Sequence, residues 1–341
     1  MGRLRAGVIG LGVGEQHIDG YRRSVNTEVV ALCDMDPEKQ AMAREKYPDC
    51  EVYASADEII DAPGIDVISI ASFDNHHAQQ VLRALDSGKH VFCEKPLCQS
   101  ELELSAICDA LRRNPECRLS TNTVLRMSPR FRDLRQSIQD NKFGRLYYLE
   151  ADYNYGRLHK LKEGWRGQIV DYSVMLGGGV HMVDLLLWLS GGRVIEVMAM
   201  ANKICSEGFG FRTPDMVVAL LKFEDGMVAK VSANFGCIFP HFHKLMVYGT
   251  TATFENDFTA ARMSVLRAEK VVPITVETSY PGLRKGDLIP GFIDTIRCQA
   301  KATIEEDEVI ATMAVCFAID RSWRERKPIQ LETENLVRHC A

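Results

Sequence analysis

The sequence predicts an α/β protein in two parts, a doubly wound parallel sheet followed by a domain of longer, antiparallel strands. Three observations carry this. A glycine turn, Gly10 to Gly14, separates a short apolar strand from a helix; short buried strands then alternate with helices as far as Asn122; past that point long strands of alternating polarity take over. The 341 residues also exceed what one core usually organises.

Bulk composition narrows the function classes. Hydrophobic residues make up 46% and charged residues 26%, an ordinary balance for a folded globular chain. A formal net charge of −5 and the lack of a long basic run argue against a nucleic-acid partner. The N-terminus enters the folded pattern at once, and no apolar stretch is long enough to span a bilayer, so a membrane partner is not expected. The 11 cysteines are scattered without a C-x-x-C pair, as reduced thiols in a cytoplasmic protein would be.

Taken in order, Ala6 to Ile9 is a buried strand running into Gly10-Leu11-Gly12-Val13-Gly14, with a helix beginning near Gln16. Gly10 permits the turn, and Gly12 lets a pyrophosphate approach the backbone N–H groups at the helix start. The third glycine falls one place early, at Gly14, with Glu15 in the usual position. Glu28 to Asp34 is a strand ending in an acid at the spacing of a ribose-binding carboxylate; Asp34 would accept from a 2′-hydroxyl and repel a 2′-phosphate, which favours NAD over NADP. Asp36 caps a helix that opens at Pro37. Ser55 opens another, Ile65 to Ala71 is a buried strand, and the polar loop Ser72 to His77 leads to a helix stopped by Gly88. Lys89 to Phe92 is the next strand, and Cys93-Glu94-Lys95-Pro96-Leu97 lies at its carboxyl end, where ligands bind in an open α/β sheet. The proline pushes Lys95 out of helical geometry. Ser100 and Glu103 form a capping box, and Cys117 to Asn122 is the last strand of the series.

Together, the glycine turn, the strand-end Asp34, the loop Ser72 to His77, Glu94-Lys95-Pro96 and a later Gly-His-Asp segment resemble the Gfo/Idh/MocA oxidoreductases, the family of glucose-fructose oxidoreductase and inositol dehydrogenase. The resemblance covers nearly the whole chain. It implies an N-terminal Rossmann domain, residues 1–122, that binds NAD. A C-terminal α/β domain with a large, mostly antiparallel sheet, residues 123–341, would serve substrate binding and oligomerisation. The implied activity is hydride transfer between a nicotinamide cofactor and a carbinol carbon of a small polyhydroxylated molecule such as a sugar, inositol or nucleotide sugar. Gly10, Gly12, Val13, Gly14, Asp34, Ser72, His77, Glu94 and Lys95 become the cofactor-binding candidates. The resemblance further implies that Lys95 contacts substrate hydroxyl and nicotinamide ribose, and that the peptide bond to Pro96 is cis. Where relatives have Thr-Pro-Asn before the loop histidine, this chain has Ser72, Phe73 and Asp74; His77 matches the family histidine and His76 does not.

Beyond Asn122, Pro129 starts a helix ending near Gly144, and strands are expected at Arg145 to Tyr155, Val194 to Lys203, Asp215 to Phe223, Met227 to Phe235 and His243 to Tyr248. The Glu224-Asp225-Gly226 turn marks a hairpin. One face of so broad a sheet can rest on helices and the other join subunits, so a homodimer or homotetramer is expected. Arg126 resembles a substrate-side arginine, or pairs with a carboxylate. His241 and His243 share a strand face, but no third ligand makes them a metal site, and none is predicted. Arg157, His159, Lys160, Lys162 and Arg166 form a basic loop that either receives an anionic substrate group or is simply solvated.

Gly177 to Asp184 leads into the apolar helix Leu185 to Trp188, with His181 and Asp184 one turn apart. By resemblance His181 is the general acid/base and Asp184 lies on the substrate side, while Lys95 stabilises the developing alkoxide. Many relatives carry an aspartate four residues before this histidine; here Gly177 stands there, and Asp171-Tyr172-Ser173 replaces the family's usual glycine cluster. Either Asp171 or Tyr172 supplies the missing group, or Lys95 and His181 act without it, or hydride chemistry is lost and the chain is a silent NAD-binding sensor. The C-terminal part is expected as helices at Gly291 to Arg297 and Glu305 to Trp323, with Val309, Met313, Cys316 and Phe317 as core, and a closing strand near Lys327 to Leu331.

Overall fold

The computed structural model of the chain describes residues 2–265, 270–298 and 300–331, which form two compact units. The first comprises the chain up to Val124 together with Leu283–Ile310; the second comprises Leu125–Gly282 and residues 311–331.

In the first unit β1 (Leu4–Ile9), α1 (Gly14–Arg22), β2 (Thr27–Cys33), α2 (Pro37–Lys46), β3 (Glu51–Tyr53), α3 (Ala56–Asp61), β4 (Val67–Ile70), α4 (His77–Asp86), β5 (His90–Cys93), α5 (Glu101–Arg113) and β6 (Leu119–Thr121) alternate as the sequence predicts. The short β3 is an addition; only Val52 and its neighbours carry it, too brief a run to show periodicity. All pairings are parallel, in the order β3-β2-β1-β4-β5-β6. Strand order therefore reverses between β1 and β4, and the crevice beyond their carboxyl ends is where such sheets bind ligands. The caps are as read from the sequence: Asp36 accepts from Glu38 N, Ser55 from Asp57 N, and Ser100 with Glu103 closes a full capping box.

The second unit contains α6 (Pro129–Gln139), β7 (Leu146–Asn154), the short α7 (His159–Lys162), α8 (Val180–Ser190), β8 (Val194–Asn202), β9 (Met216–Phe223), β10 (Val228–Asn234), β11 (Phe242–Gly249), β12 (Thr253–Asn256), β13 (Ala261–Ser264) and β14 (Ile274–Thr275). These strands, with β15 (Ile329–Gln330), make a nine-stranded sheet ordered β14-β13-β12-β11-β7-β10-β9-β8-β15. It is antiparallel except for the β7–β10 pair. The Asp225-Gly226 hairpin joins β9 to β10, Gly226 taking the positive φ such a turn requires. One face buries Leu149, Ala151, Val231, Ala233, Leu245 and Val247. The other carries Met200, Leu220 and Val228 exposed.

The expected single boundary after Asn122 is corrected in one respect. Residues 283–310 return to the first unit, bringing α9 (Ile289–Ile296) and the start of α10 (Glu306–Glu325), whose residues from Ala311 belong to the second. The reason is packing. Phe292 lies with its ring 5.7 Å from that of Phe92 on β5, and Gly20 on α1 meets the backbone of Gly286 so closely that a Cβ on either would collide. Arg23 fixes the same junction through Gly286 O and Asp287. Val309, Met313, Cys316 and Phe317 are buried as predicted, and no helix among the described residues is long and apolar enough to cross a membrane.

Candidate active site

At the crevice between β1 and β4, Gly10 turns with φ +87° and would strike the Ala71 carbonyl if it carried a Cβ. Gly14 packs against Val8 and Ala71, whereas around Gly12 only Lys39 Nζ, at 4.0 Å, stands near the position of a Cβ. The second glycine is thus open on the side a pyrophosphate would use. Val13 is the first flanking residue of α1 and has no side-chain oxygen, so no side-chain cap competes for the helix-start N–H groups. Asp34, just past β2, accepts from Leu11 N at 2.8 Å and from Asp36 N at 3.0 Å. Its carboxylate braces the glycine turn, with Lys39 Nζ 3.3 Å away. These residues fit a dinucleotide.

Lys95 follows β5 and is half-buried, and the Lys95–Pro96 peptide is cis. Its neighbours are fastened by groups the sequence did not reveal. Glu94 Oε1 accepts from Asn122 Nδ2 at 2.6 Å and lies 3.3 Å from His17 Nε2; His17 Nδ1 lies 2.8 Å from Ser69 Oγ. Burial alone would raise the Glu94 carboxyl, but the His17 hydrogen bond and the charges of Lys285, His17 and Lys95 hold it well below the usual carboxylate range. Glu94 is therefore an anion locked inside the unit. His77 is fully buried, with Nδ1 2.6 Å from the Pro96 carbonyl and Nε2 3.2 Å from the Ser72 carbonyl. It clamps the lysine turn to the Ser72 loop, while Ser72 Oγ donates to Gln80. His17 had a sequence signal, since it shares the buried face of α1 with Gly14, Ile18 and Tyr21. Asn122 had only its place at a strand end.

In the second unit, Met175–Gly179 form one turn of π-helix that runs into α8 and delivers His181. Ser173 Oγ accepts from Met175 N and Leu176 N to start that turn. The three glycines each admit a different neighbour: Tyr172 Oη over Gly177, the Tyr153 ring over Gly178, and Met175 Sδ over Gly179. A Cβ at any of them would collide. Tyr153 also stacks on His181, ring centroids 6.2 Å apart and planes 24° from parallel.

The other expected substrate-side residues divide. Arg126 and Asp184 are each only 1% exposed and pair with one another, Arg126 Nη2 to Asp184 Oδ1 at 2.8 Å and Nε to Oδ2 at 3.0 Å. Of the two uses read for Arg126, the structure shows the carboxylate pair. Asp171 is exposed, but Tyr172 is buried, with Arg166 Nε donating to its hydroxyl at 3.0 Å. His241 and His243 do lie together, rings 4.8 Å apart, with His243 Nδ1 2.7 Å from Tyr280 Oη. Among the described residues no group of three or more histidine, cysteine or acidic side chains is set to hold a metal.

The parallel sheet of the first unit, with its glycine turn and strand-end Asp34, has the form of a dinucleotide-binding domain. The comparisons agree. Residues 4–123 match "Oxidoreductase family, NAD-binding Rossmann fold" and residues 131–255 match the "GFO/IDH/MocA C-terminal domain". The chain belongs to the Gfo/Idh/MocA family. It is 23% identical over 342 residues to myo-inositol 2-dehydrogenase of Thermotoga maritima, covering 96% of this chain and 99% of that one. Against inositol 2-dehydrogenase of Corynebacterium glutamicum it is 26% identical over 235 residues, 68% of this chain and 67% of the other. Levoglucosan dehydrogenase, solved with NADH and levoglucosan, superposes with a TM-score of 0.85 at 19% identity, covering 97% of this chain and 100% of the other.

Proposed function

We propose that the protein is an NAD-dependent dehydrogenase that oxidises a secondary alcohol of a polyhydroxylated substrate, with Lys95 and His181 carrying the chemistry. The observation that supports this most directly is the fastening of Lys95: it leaves β5 beside the nucleotide crevice, and Glu94, His77, His17 and Asn122 hold the turn it stands on. Relatives that oxidise inositol or levoglucosan by name support the same substrate class.

Gly12 and Val13 offer backbone N–H groups to the pyrophosphate, while Gly10 and Gly14, whose N–H groups are bonded to Cys33 O and Gly10 O, shape the turn, and Asp34 accepts from the ribose hydroxyl. NAD, when bound, supplies the hydride acceptor at its nicotinamide ring. His181 takes the hydroxyl proton at an imidazole nitrogen as the carbinol C–H bond breaks, its hydrogen leaving with the electron pair and the oxygen closing to a carbonyl. The Lys95 ammonium offsets the negative charge that grows on that oxygen.

The test is reduced-cofactor absorbance with NAD and a panel of myo-inositol, D-glucose, levoglucosan and UDP-glucose. Lys95→Ala and His181→Ala should each lower turnover by about 100-fold or more, the usual scale of a positioned acid–base or electrostatic group. Near-normal turnover in both variants would overturn the assignment. We further propose that the exposed Met200, Leu220 and Val228 on the open sheet face join identical subunits. A monomer in light scattering at micromolar concentration would contradict this.

A further inference from the structure

Around Tyr153 and Tyr155 the second unit gathers positive and proton-accepting groups. The two rings stack 5.8 Å apart. His181 stacks on Tyr153, and His241 and His243 approach the same ring at 5.1 and 5.4 Å. His241 also meets Tyr155, and the Arg157 guanidinium lies 5.2 Å above the Tyr155 ring. Arg166 is set nearby, donating to Tyr172 Oη and resting 4.5 Å over Trp165. His241 and Arg157 are exposed, so this is the accessible side of the cluster.

Several carboxylates of the same region are engaged elsewhere or raised by burial. Asp184 is paired with Arg126; Asp215 accepts from Ser206 N at 2.6 Å; burial raises Asp320, whose partners are Ser173, Trp323 and Arg324. Asp171 points outward, and residue 177, one turn before His181, is a glycine with no charge to give. Burial raises the Tyr153 hydroxyl, and the charges of Arg166 and Arg157 both oppose that rise.

We propose that the substrate carries an anionic group, a carboxylate or a phosphate on the polyhydroxylated frame, received by Arg157 and Arg166 with His241 beside them. This rests on His181 being the reacting end of the site. Guanidinium groups match both anions by paired N–H donors, and the buried Tyr153 and Tyr155 rings form the packed base on which Arg157 and His241 stand. The basic loop is then a binding element and not a solvated charge run.

The test is titration of the protein loaded with NADH by D-glucuronate, D-gluconate, glucose 6-phosphate, D-glucose and myo-inositol, read by calorimetry. One acidic sugar should bind about tenfold or more tightly than its neutral counterpart, and Arg157→Ala should remove roughly that factor, the scale of one charge-assisted contact. The glucuronate and phosphate arms separate the two sources of charge. Arg166→Ala is the second variant; because Arg166 also packs on Trp165, Arg157→Ala carries the decision if that variant is unstable. Equal or tighter binding of the neutral sugars, no binding by any acidic one, or a preference that survives both substitutions overturns the proposal. Neutral polyols turned over while acids are ignored would leave the dehydrogenase assignment standing and remove this one. Acid binding without hydride transfer would do the reverse.

Discussion

The Tyr172 hydroxyl fills the volume that a side chain on Gly177 would need, and it accepts a hydrogen bond from Arg166 Nε at 3.0 Å. A residue four places before His181 lies over the same helical face, so this phenol sits where an acidic side chain at 177 would otherwise have pointed. Tyr172 packs over Gly177, whereas Asp171 is exposed.

Gly177→Ala should therefore destabilise the second unit by about 1–3 kcal/mol, the range for forcing a methyl into a packed site. Tyr172→Phe keeps the ring contacts with Trp165, Phe211 and Phe235 and loses the Arg166 bond, about 1 kcal/mol. Combining Gly177→Ala with Tyr172→Ala should cost less than the sum of the two single changes, because the collision is removed. Denaturant titration of the four proteins checks this; strict additivity would mean the two residues do not meet.

Glu94 gives a pH dependence whose sign follows from its surroundings. Its carboxyl is held below the ordinary 4.5, so the ionised form contributes stability above that value and loses it as pH falls through the folded titration. Glu94→Gln should be less stable than the parent at pH 7 by roughly 1.5–3 kcal/mol, the cost of losing charged hydrogen bonds in a buried place. The gap should narrow on acidification below 4.5. Melting temperatures of both proteins across that range decide it; a gap independent of pH would contradict the anionic state.

Much of this was legible in the sequence, and the gaps have physical causes. The parallel sheet could be read because strands such as β4 and β5 are short and mostly buried and several helices have a local cap, such as Asp36, Ser55 or Ser100. Lys95 could be read from the proline after it. The clamps on its turn could not: His17, Ser69 and Asn122 are far apart in sequence and meet only through the strand order. The return of residues 283–310 to the first unit was equally hidden, since the Gly20–Gly286 approach leaves no periodic mark. Nor does a run of three glycines announce a π turn, because the side chains packed over it, Tyr172, Tyr153 and Met175, come from places the run does not mark.

Arg126 and Asp184 form a buried pair tying the start of the second unit to the helix that bears His181. Arg126→Ala would leave the Asp184 carboxylate buried without its guanidinium, a loss of roughly 3–5 kcal/mol. Replacing both residues with apolar ones, Arg126→Met with Asp184→Leu, should cost much less, since no uncompensated charge remains. A double variant no more stable than Arg126→Ala would contradict the cost assigned to the stranded carboxylate, and substrate affinity lost in both variants would give Arg126 a binding role besides its structural one. Equilibrium unfolding with a parallel binding assay separates these outcomes.

Asp34 braces the glycine turn, and the cofactor preference proposed for it can be told apart from that role by ratio. Losing the Leu11 N contact in Asp34→Ser should weaken NADH and NADPH alike. Losing the ribose acceptor weakens NADH further, and removing the negative charge relieves NADPH, which can then draw on Lys39 Nζ, freed from its pairing with Asp34. That pairing is a weak restraint because Lys39 is 43% exposed. Fluorescence titration should show the parent binding NADH more tightly than NADPH, and Asp34→Ser moving the ratio toward NADPH by about tenfold or more, the scale of one charge contact. Adding Lys39→Ala to that variant should move the ratio back. A parent that binds NADPH more tightly than NADH would overturn the role assigned to Asp34.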